Sequence, residues 1–164
     1  MSKVKIIVGD ITEFPHGIQA IFHGCNTLNI MGAGLALDLA QKYPCVLGTD
    51  TLVHDYWKEN KVGESLLGQF SFCAVDDHPH VVYNLYQQKT LGAGALDYDA
   101  LENAMNSAVS HCTKIGVTKI GVPFRIGCGL AGGDWNHVIQ IIQDAAQKFD
   151  GDMYIVQRMQ DIEK

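Results

Sequence analysis

Two glycine-bearing junctions, each joining an apolar run to a helical pattern, constrain this chain more than any other feature. The longer one reads Val122-Pro123-Phe124-Arg125-Ile126-Gly127-Cys128-Gly129-Leu130-Ala131-Gly132-Gly133-Asp134-Trp135. It follows the strand-like run Ile120 to Val122 and leads into a helix that Asp134 is suited to cap. A backbone so rich in glycine can take φ > 0 and press its N–H groups against a ligand. The helix beyond it points its positive end at the loop. The second junction, Met31-Gly32-Ala33-Gly34-Leu35, follows the run Ile18 to Phe22 and the segment His23-Gly24-Cys25-Asn26. Strand–glycine loop–helix junctions suit a phosphate or diphosphate, and tight structural turns are the alternative. Two such loops in one α/β chain favour a phosphate-and-sugar site at the carboxyl ends of the strands.

The remaining chain reads as alternating strands and helices in a single domain, residues 1–164. Val4 to Val8 reads as a buried strand ending at Gly9-Asp10-Ile11-Thr12, where Asp10 can accept from an amine or form a local turn. Ala36, Leu39, Ala40 and Tyr43 keep helical spacing until Pro44. Val46 to Glu59 is mostly helical, with Leu52, Val53, Tyr56 and Trp57 as its expected buried face. Leu66 to Val75 and His80 to Tyr86 read as a hairpin around a turn at Asp76-Asp77-His78-Pro79. Gln87 to Leu96 reads as a mobile loop. A long helix then starts at Asp97 or Asp99, burying Leu101, Ala104, Met105, Ala108, Cys112 and Ile115. The strand Lys119 to Val122 precedes the long glycine loop. A helix with Trp135, Val138, Ile142, Ala145 and Phe149 inward follows that loop, and the strand Met153 to Val156 comes last.

Composition excludes several classes. At 164 residues and 47% hydrophobic, the chain can bury a sizeable core. A net charge of −6 argues against extended nucleic-acid binding, though not against a small anion held by backbone N–H groups. Five cysteines without a C-x-x-C pair suggest buried free thiols and a reducing, cytoplasmic location. No apolar run approaches the roughly 20 residues of a membrane span, and nothing resembles a signal peptide. Seven scattered histidines give no ligand spacing, so neither a metal nor a cofactor is expected.

Taken together, Gly9-Asp10-Ile11-Thr12, His23-Gly24-Cys25-Asn26, Met31 to Ala36 and Ile126 to Trp135 resemble the macro domain family, which binds ADP-ribose. Within it the chain looks most like the branch of ADP-ribose 1''-phosphate phosphatases and terminal ADP-ribosyl hydrolases. The resemblance implies a three-layer α/β/α fold with a mixed, mostly six-stranded sheet. It also implies ADP-ribose or ADP-ribose 1''-phosphate as the partner of a monomer. By motif, Gly9, Asp10 and Ile11 would meet adenine, with Asp10 accepting from its amine. Asn26 would contact the distal ribose, and Met31, Gly32, Ala33, Gly34 and Leu35 would border that ribose and its phosphate. Ile126, Gly127, Cys128, Gly129, Leu130 and Ala131 would wrap the diphosphate through backbone N–H groups.

His23, Asn26 and Asp97 are the catalytic candidates. His23 matches a histidine this branch carries, the alternative being a core histidine bonded to backbone. Asp97 matches an acidic residue before a tyrosine, the alternative being a plain N-cap. The leading expectation is removal of the 1''-phosphate, with His23 transferring a proton and Asp97 orienting the water or the imidazole. ADP-ribosyl hydrolysis and binding without turnover are the alternatives. Two departures weigh on the hydrolase reading. Ala131 stands where hydrolases acting on glutamate esters carry aspartate, and Lys89 lies one place later than their lysine.

Overall fold

The structure is a computed structural model that describes residues 4–61, 63–75 and 80–162. Strands and helices alternate along it: β1 (Val4–Val8), β2 (Ala20–Asn26), α1 (Gly34–Lys42), α2 (Cys45–Asn60), β3 (Phe70–Ala74) and β4 (Val81–Gln88), then α3 (Tyr98–Lys114), β5 (Lys119–Pro123), α4 (Trp135–Gln147), β6 (Asp152–Gln157) and the single turn α5 (Met159–Ile162). The six strands form one sheet in the order β1-β6-β5-β2-β4-β3. Five run parallel and β3 alone is antiparallel, so the sheet is mixed. The carboxyl ends of the five parallel strands therefore open on one edge, where the ligand sites of such sheets lie.

Each face of the sheet carries its own apolar layer. On one, α3 and α4 pack Leu101, Met105, Val138 and Ile142 against Phe22, Leu85, Ile120 and Ile155. On the other, Leu39 of α1 and Val46 of α2 pack against Ile21, Val82 and Tyr86. Helices on both faces of one sheet give the expected three-layer α/β/α architecture. Asp97 and Asp134 cap α3 and α4, accepting from the N–H groups of Ala100 and Asn136.

Four local expectations are corrected. β1 is an edge strand rather than a buried one, with Ile6 and Val8 exposed. On α2, Leu52 and Tyr56 face solvent, and the inward stripe is Val46, Asp50, Val53 and Trp57. That stripe contains a carboxylate, which hides it from an apolar count. Ile115 ends α3 as an exposed cap, and the third strand begins at Phe70 rather than Leu66. The turn expected at Asp76 to Pro79 lies outside the described residues. The loop expected from Gln87 is held at both ends, because β4 runs on to Gln88 and Leu96 bridges back to it.

Candidate functional site

A cleft of about 770 Å³ runs along the carboxyl ends of the parallel strands, from Asp10 after β1 to Gln87 and Gln88 at the end of β4. Its volume lies within the usual range of small-molecule and cofactor sites, roughly 300–1,000 Å³. Asp10, Ile11, His23, Asn26, Met31, Gly32, Ala33, Gly34, Leu35, Ile126, Gly127, Gly129, Leu130 and Ala131 all line it. Among the expected site residues, Gly9, Cys128 and Asp97 do not. The Cys128 side chain turns into the core, its Sγ 3.4 Å from the Ile126 carbonyl. Asp97 lines a second, smaller recess, and its carboxylate caps α3.

The two glycine loops face the cleft with unpaired backbone donors. In the longer loop, the N–H groups of Ile126, Cys128, Gly132 and Gly133 are used inside the loop itself, on Pro123, Arg125, Gly129 and Gly127. Among the described residues, those of Gly127, Gly129, Leu130 and Ala131 have no acceptor. So the cradle is narrower than the whole run from Ile126 to Ala131. On the facing side α1 begins at Gly34, and its cap residue Ala33 supplies no side-chain acceptor. The N–H groups of Gly34, Leu35 and Ala36 are therefore also free among the described residues. Unpaired donors at a helix N-terminus and in a facing loop make an anion site with no lysine. The letters G-x-G-x-x-G do recur from Gly127 to Gly132, but these residues form turns and α4 opens only at Trp135. They do not build the strand–helix hinge of a dinucleotide fold.

Below the rim, His23 lines the floor and is backed by a chain of buried side chains. His23 is 1% exposed, and its Nε2 lies 2.5 Å from Asn84 Oδ1. Asn84 Nδ2 donates to Ser71 Oγ at 3.0 Å and faces the Val46 carbonyl at 3.4 Å. A carbonyl cannot donate, so this contact fixes the amide orientation and makes His23 the Nε2–H tautomer. The chain continues from Ser71 Oγ to the Tyr86 hydroxyl at 2.8 Å, and Tyr86 donates to Asp50 Oδ1 at 2.7 Å. His54 Nδ1 meets the same carboxylate oxygen at 3.1 Å. Burial lowers the His23 pKa to about 4, against the opposing hydrogen bond to Asn84. Burial also raises the Asp50 pKa, opposed by Tyr86 and His54. His23 is thus neither exposed nor bonded to backbone, but held by a side chain from the neighbouring strand.

Asn26 also lines the cleft, with its amide already engaged. Oδ1 accepts from the N–H groups of Leu28 and Ile30, and Nδ2 donates to the Ile30 carbonyl. It braces the turn that presents Met31 and Gly32. Asp10 accepts from Thr12 N and Oγ1 through Oδ1. The structure does not bring Lys89 or Asp97 together with His23, since both line the recess beside Tyr98 and His137. Gln88 lines the main cleft where a lysine would be needed. Three cleft residues carry no signal in the sequence pattern. Arg125 and Arg158 border it, the latter paired with Asp161 at 3.1 Å. Gln87 packs over Gly24, its Nε2 donating to Gln88 and its Oε1 buried without a partner among the described residues. Nothing in a strand-end glutamine marks that position. Among the described residues no cluster of three metal-ligating side chains occurs. None of the helices there is long and apolar enough to cross a membrane.

Comparison with known proteins agrees with this geometry. The chain is 30% identical over 151 residues to an uncharacterized 17.5 kDa protein of the tk-vs intergenic region of Enterobacteria phage T4, covering 90% of this chain and 92% of that one. It is 26% identical over 149 residues to the ADP-ribose glycohydrolase OARD1 of Bos taurus, covering 91% and 88%. Among solved structures, the macrodomain of Thermus aquaticus DarG superposes with a TM-score of 0.77 at 21% identity, covering 94% of this chain and 97% of that one. No family model matches.

Proposed function

We propose that this chain is a member of the macro domain family, that its cleft binds ADP-ribose and that the protein hydrolyses a bond at the distal ribose, with ADP-ribose 1''-phosphate as its substrate. The observation that carries the binding is the double row of N–H groups unpaired among the described residues, those of Gly127, Gly129, Leu130 and Ala131 and those of Gly34, Leu35 and Ala36. Both rows line one cleft, which would take a diphosphate between them, with adenine toward Asp10 and the distal ribose toward Asn26. Because these donors are backbone, the net charge of −6 does not oppose them.

In the proposed reaction, water adds its oxygen to phosphorus, the bond from phosphorus to O1'' breaks, and the proton lost by water passes to O1''. His23 is the group on the floor suited to carry that proton. Burial keeps it neutral above about pH 4, so it enters as a proton acceptor rather than a donor. Its Nε2–H is committed to Asn84, which leaves Nδ1 as the accepting nitrogen. Asp97 takes no part, being outside the cleft. The protein would do this as a cytoplasmic monomer without extended nucleic-acid contacts.

Release of ADP-ribose from a modified macromolecule is the second reading, favoured by the similarity to the bovine glycohydrolase. Against it stand Ala131 and the position of Lys89 outside the cleft. Purified protein incubated with ADP-ribose 1''-phosphate, and separately with ADP-ribosylated protein, decides between them. We expect phosphate release that is lost in His23→Ala and kept in Lys89→Ala. Free ADP-ribose from the modified protein, without phosphate release, would replace this reading by the second. Calorimetric binding of ADP-ribose with no product from either substrate would make the protein a reader.

A further inference from the structure

The thiols expected to be buried divide into two groups. Cys25, Cys112 and Cys128 are buried, whereas Cys45 and Cys73 are only partly so. These two, 28 residues apart in sequence, meet with their sulfurs 3.1 Å from one another. Cys45 is the first residue of α2, and Cys73 lies on β3, the edge strand opposite β1. The Ala74 carbonyl is 3.5 Å from Cys45 Sγ, and the Thr49 side chain, one turn along α2, bonds Cys73. Neither cysteine lines the ADP-ribose cleft. The polar chain of the floor passes close by, since Ser71 precedes Cys73 on β3 and Asp50 follows Cys45 on α2.

We propose that Cys45 and Cys73 form a dithiol modification site that takes a two-electron oxidant, a peroxide or a small disulfide, and closes to a reversible disulfide joining α2 to β3. A disulfide requires sulfurs about 2.05 Å apart, so the pair must close by roughly 1 Å. With hydrogen peroxide, the Cys45 sulfur attacks one oxygen, the O–O bond breaks, and water leaves a sulfenic acid on Cys45. The Cys73 sulfur then attacks Cys45 Sγ, the S–O bond breaks, and a second water departs with the remaining thiol proton. Each sulfur gives up one electron and the peroxide takes two. Burial pushes the Cys73 thiol up to about 12, which assigns the first attack to Cys45. Cys45 itself adds to that elevation through its hydrogen bond and charge, behind burial. Closure by Cys73 spares Cys45 from irreversible oxidation to the sulfinic acid.

The test uses the whole reduced protein, treated with equimolar hydrogen peroxide or with oxidised glutathione. A peptide map without reductant should show one species joining the Cys45 and Cys73 peptides, two hydrogens lighter than their sum. Cys25, Cys112 and Cys128 should stay free. Closing this loop constrains the unfolded chain, so the melting temperature should rise by about 5–10 °C and fall back with dithiothreitol. ADP-ribose affinity should be unchanged, which separates this site from the cleft. In Cys73→Ser, and likewise in Cys45→Ser should the first variant melt low when reduced, the rise should vanish. A sulfinic acid or glutathione adduct on wild-type Cys45 with Cys73 still free would overturn the proposal. A cross-link between two copies in place of the internal one would overturn it as well.

Discussion

The rim and the floor of the cleft are built from opposite materials. The rim is backbone: N–H groups of Gly127, Gly129, Leu130 and Ala131 on one side and of Gly34 to Ala36 on the other, unpaired among the described residues. The floor is side chain: His23 lines it, backed by Asn84, Ser71, Tyr86 and Asp50, buried and bonded one to the next. Unpaired donors cost little where water can reach them, and that openness leaves them ready for a ligand. Buried polar groups are costly unless they find partners. The rim therefore keeps its bonding capacity for the ligand, and the floor spends its own on holding a shape. Substitutions should separate the two.

The largest effect is expected on the rim. A β-carbon at Gly129 would have nothing within 4 Å, so that side of the residue faces open space in the cleft. Gly129→Glu should leave the fold intact and put a carboxylate beside two phosphates. Like charges about 4 Å apart at an effective dielectric of 20 repel by roughly 4 kcal/mol. That is on the order of a thousandfold in Kd. Calorimetry with ADP-ribose and a thermal melt on the same sample check both halves. Wild-type affinity in a folded variant would show that this loop is only a turn.

Within the same loop, Gly133 should behave in the contrary way. A β-carbon there would lie 2.4 Å from Leu96 Cδ2 and 2.7 Å from the Gly127 carbonyl oxygen. The second neighbour is backbone and cannot swing aside. Gly133→Ala should therefore cost about 3 kcal/mol of stability, at the upper end of ordinary overpacking. Gly127 belongs with Gly133 rather than with Gly129, because its φ of 74° strains any side chain and its own β-carbon would also lie 2.9 Å from Leu96 Cδ2. A side chain at Gly127 thus obstructs the fold before it obstructs a ligand. Denaturant melts of the two alanine variants measure this, and wild-type stability in Gly133→Ala would erase the distinction inside the loop.

The rim is legible in the sequence and the floor is not, for a physical reason. Glycines that free a loop backbone act locally, so Gly32, Gly34, Gly127 and Gly129 announce their role within a few residues. The partners of the floor are joined only by the fold. His23 meets Asn84 across 61 positions, and Asp50 meets Tyr86 across 36. Asp50 also breaks the apolar pattern of α2, so an apolar count points to Leu52 and Tyr56, which face solvent. Lys89 and Asp97 lie in the expected segment, but a few ångströms of loop path decide which side of it they face. They face the second recess. The pairing of Cys45 with Cys73 likewise needs α2 laid along β3, which no spacing reveals.

The smallest effect tests the floor, through pH. In the unfolded chain His23 titrates near its ordinary value of 6.5, and in the fold burial holds it near 4. Between those values the unfolded state binds a proton that the folded state refuses, so acidification favours unfolding. The contribution is fully present above pH 6.5 and is lost progressively as pH falls toward 4. By pH 5 the loss should reach about 2 kcal/mol, each unit being worth about 1.4. His23→Gln removes the titrating ring, so its stability should fall less over the same interval. Asp50 acts with the opposite sign, because its raised pKa makes the fold hold a proton more firmly. His111, lowered mainly by burial, acts with the same sign as His23. Both remain in the variant, so the difference between the two curves isolates His23. The rim offers the contrast, since backbone N–H groups do not titrate. ADP-ribose affinity for the folded protein should stay flat from pH 6.5 to pH 5 while stability declines. Parallel stability curves for wild type and His23→Gln would show that His23 is not held neutral in the fold, and the division between rim and floor would lose its electrostatic half.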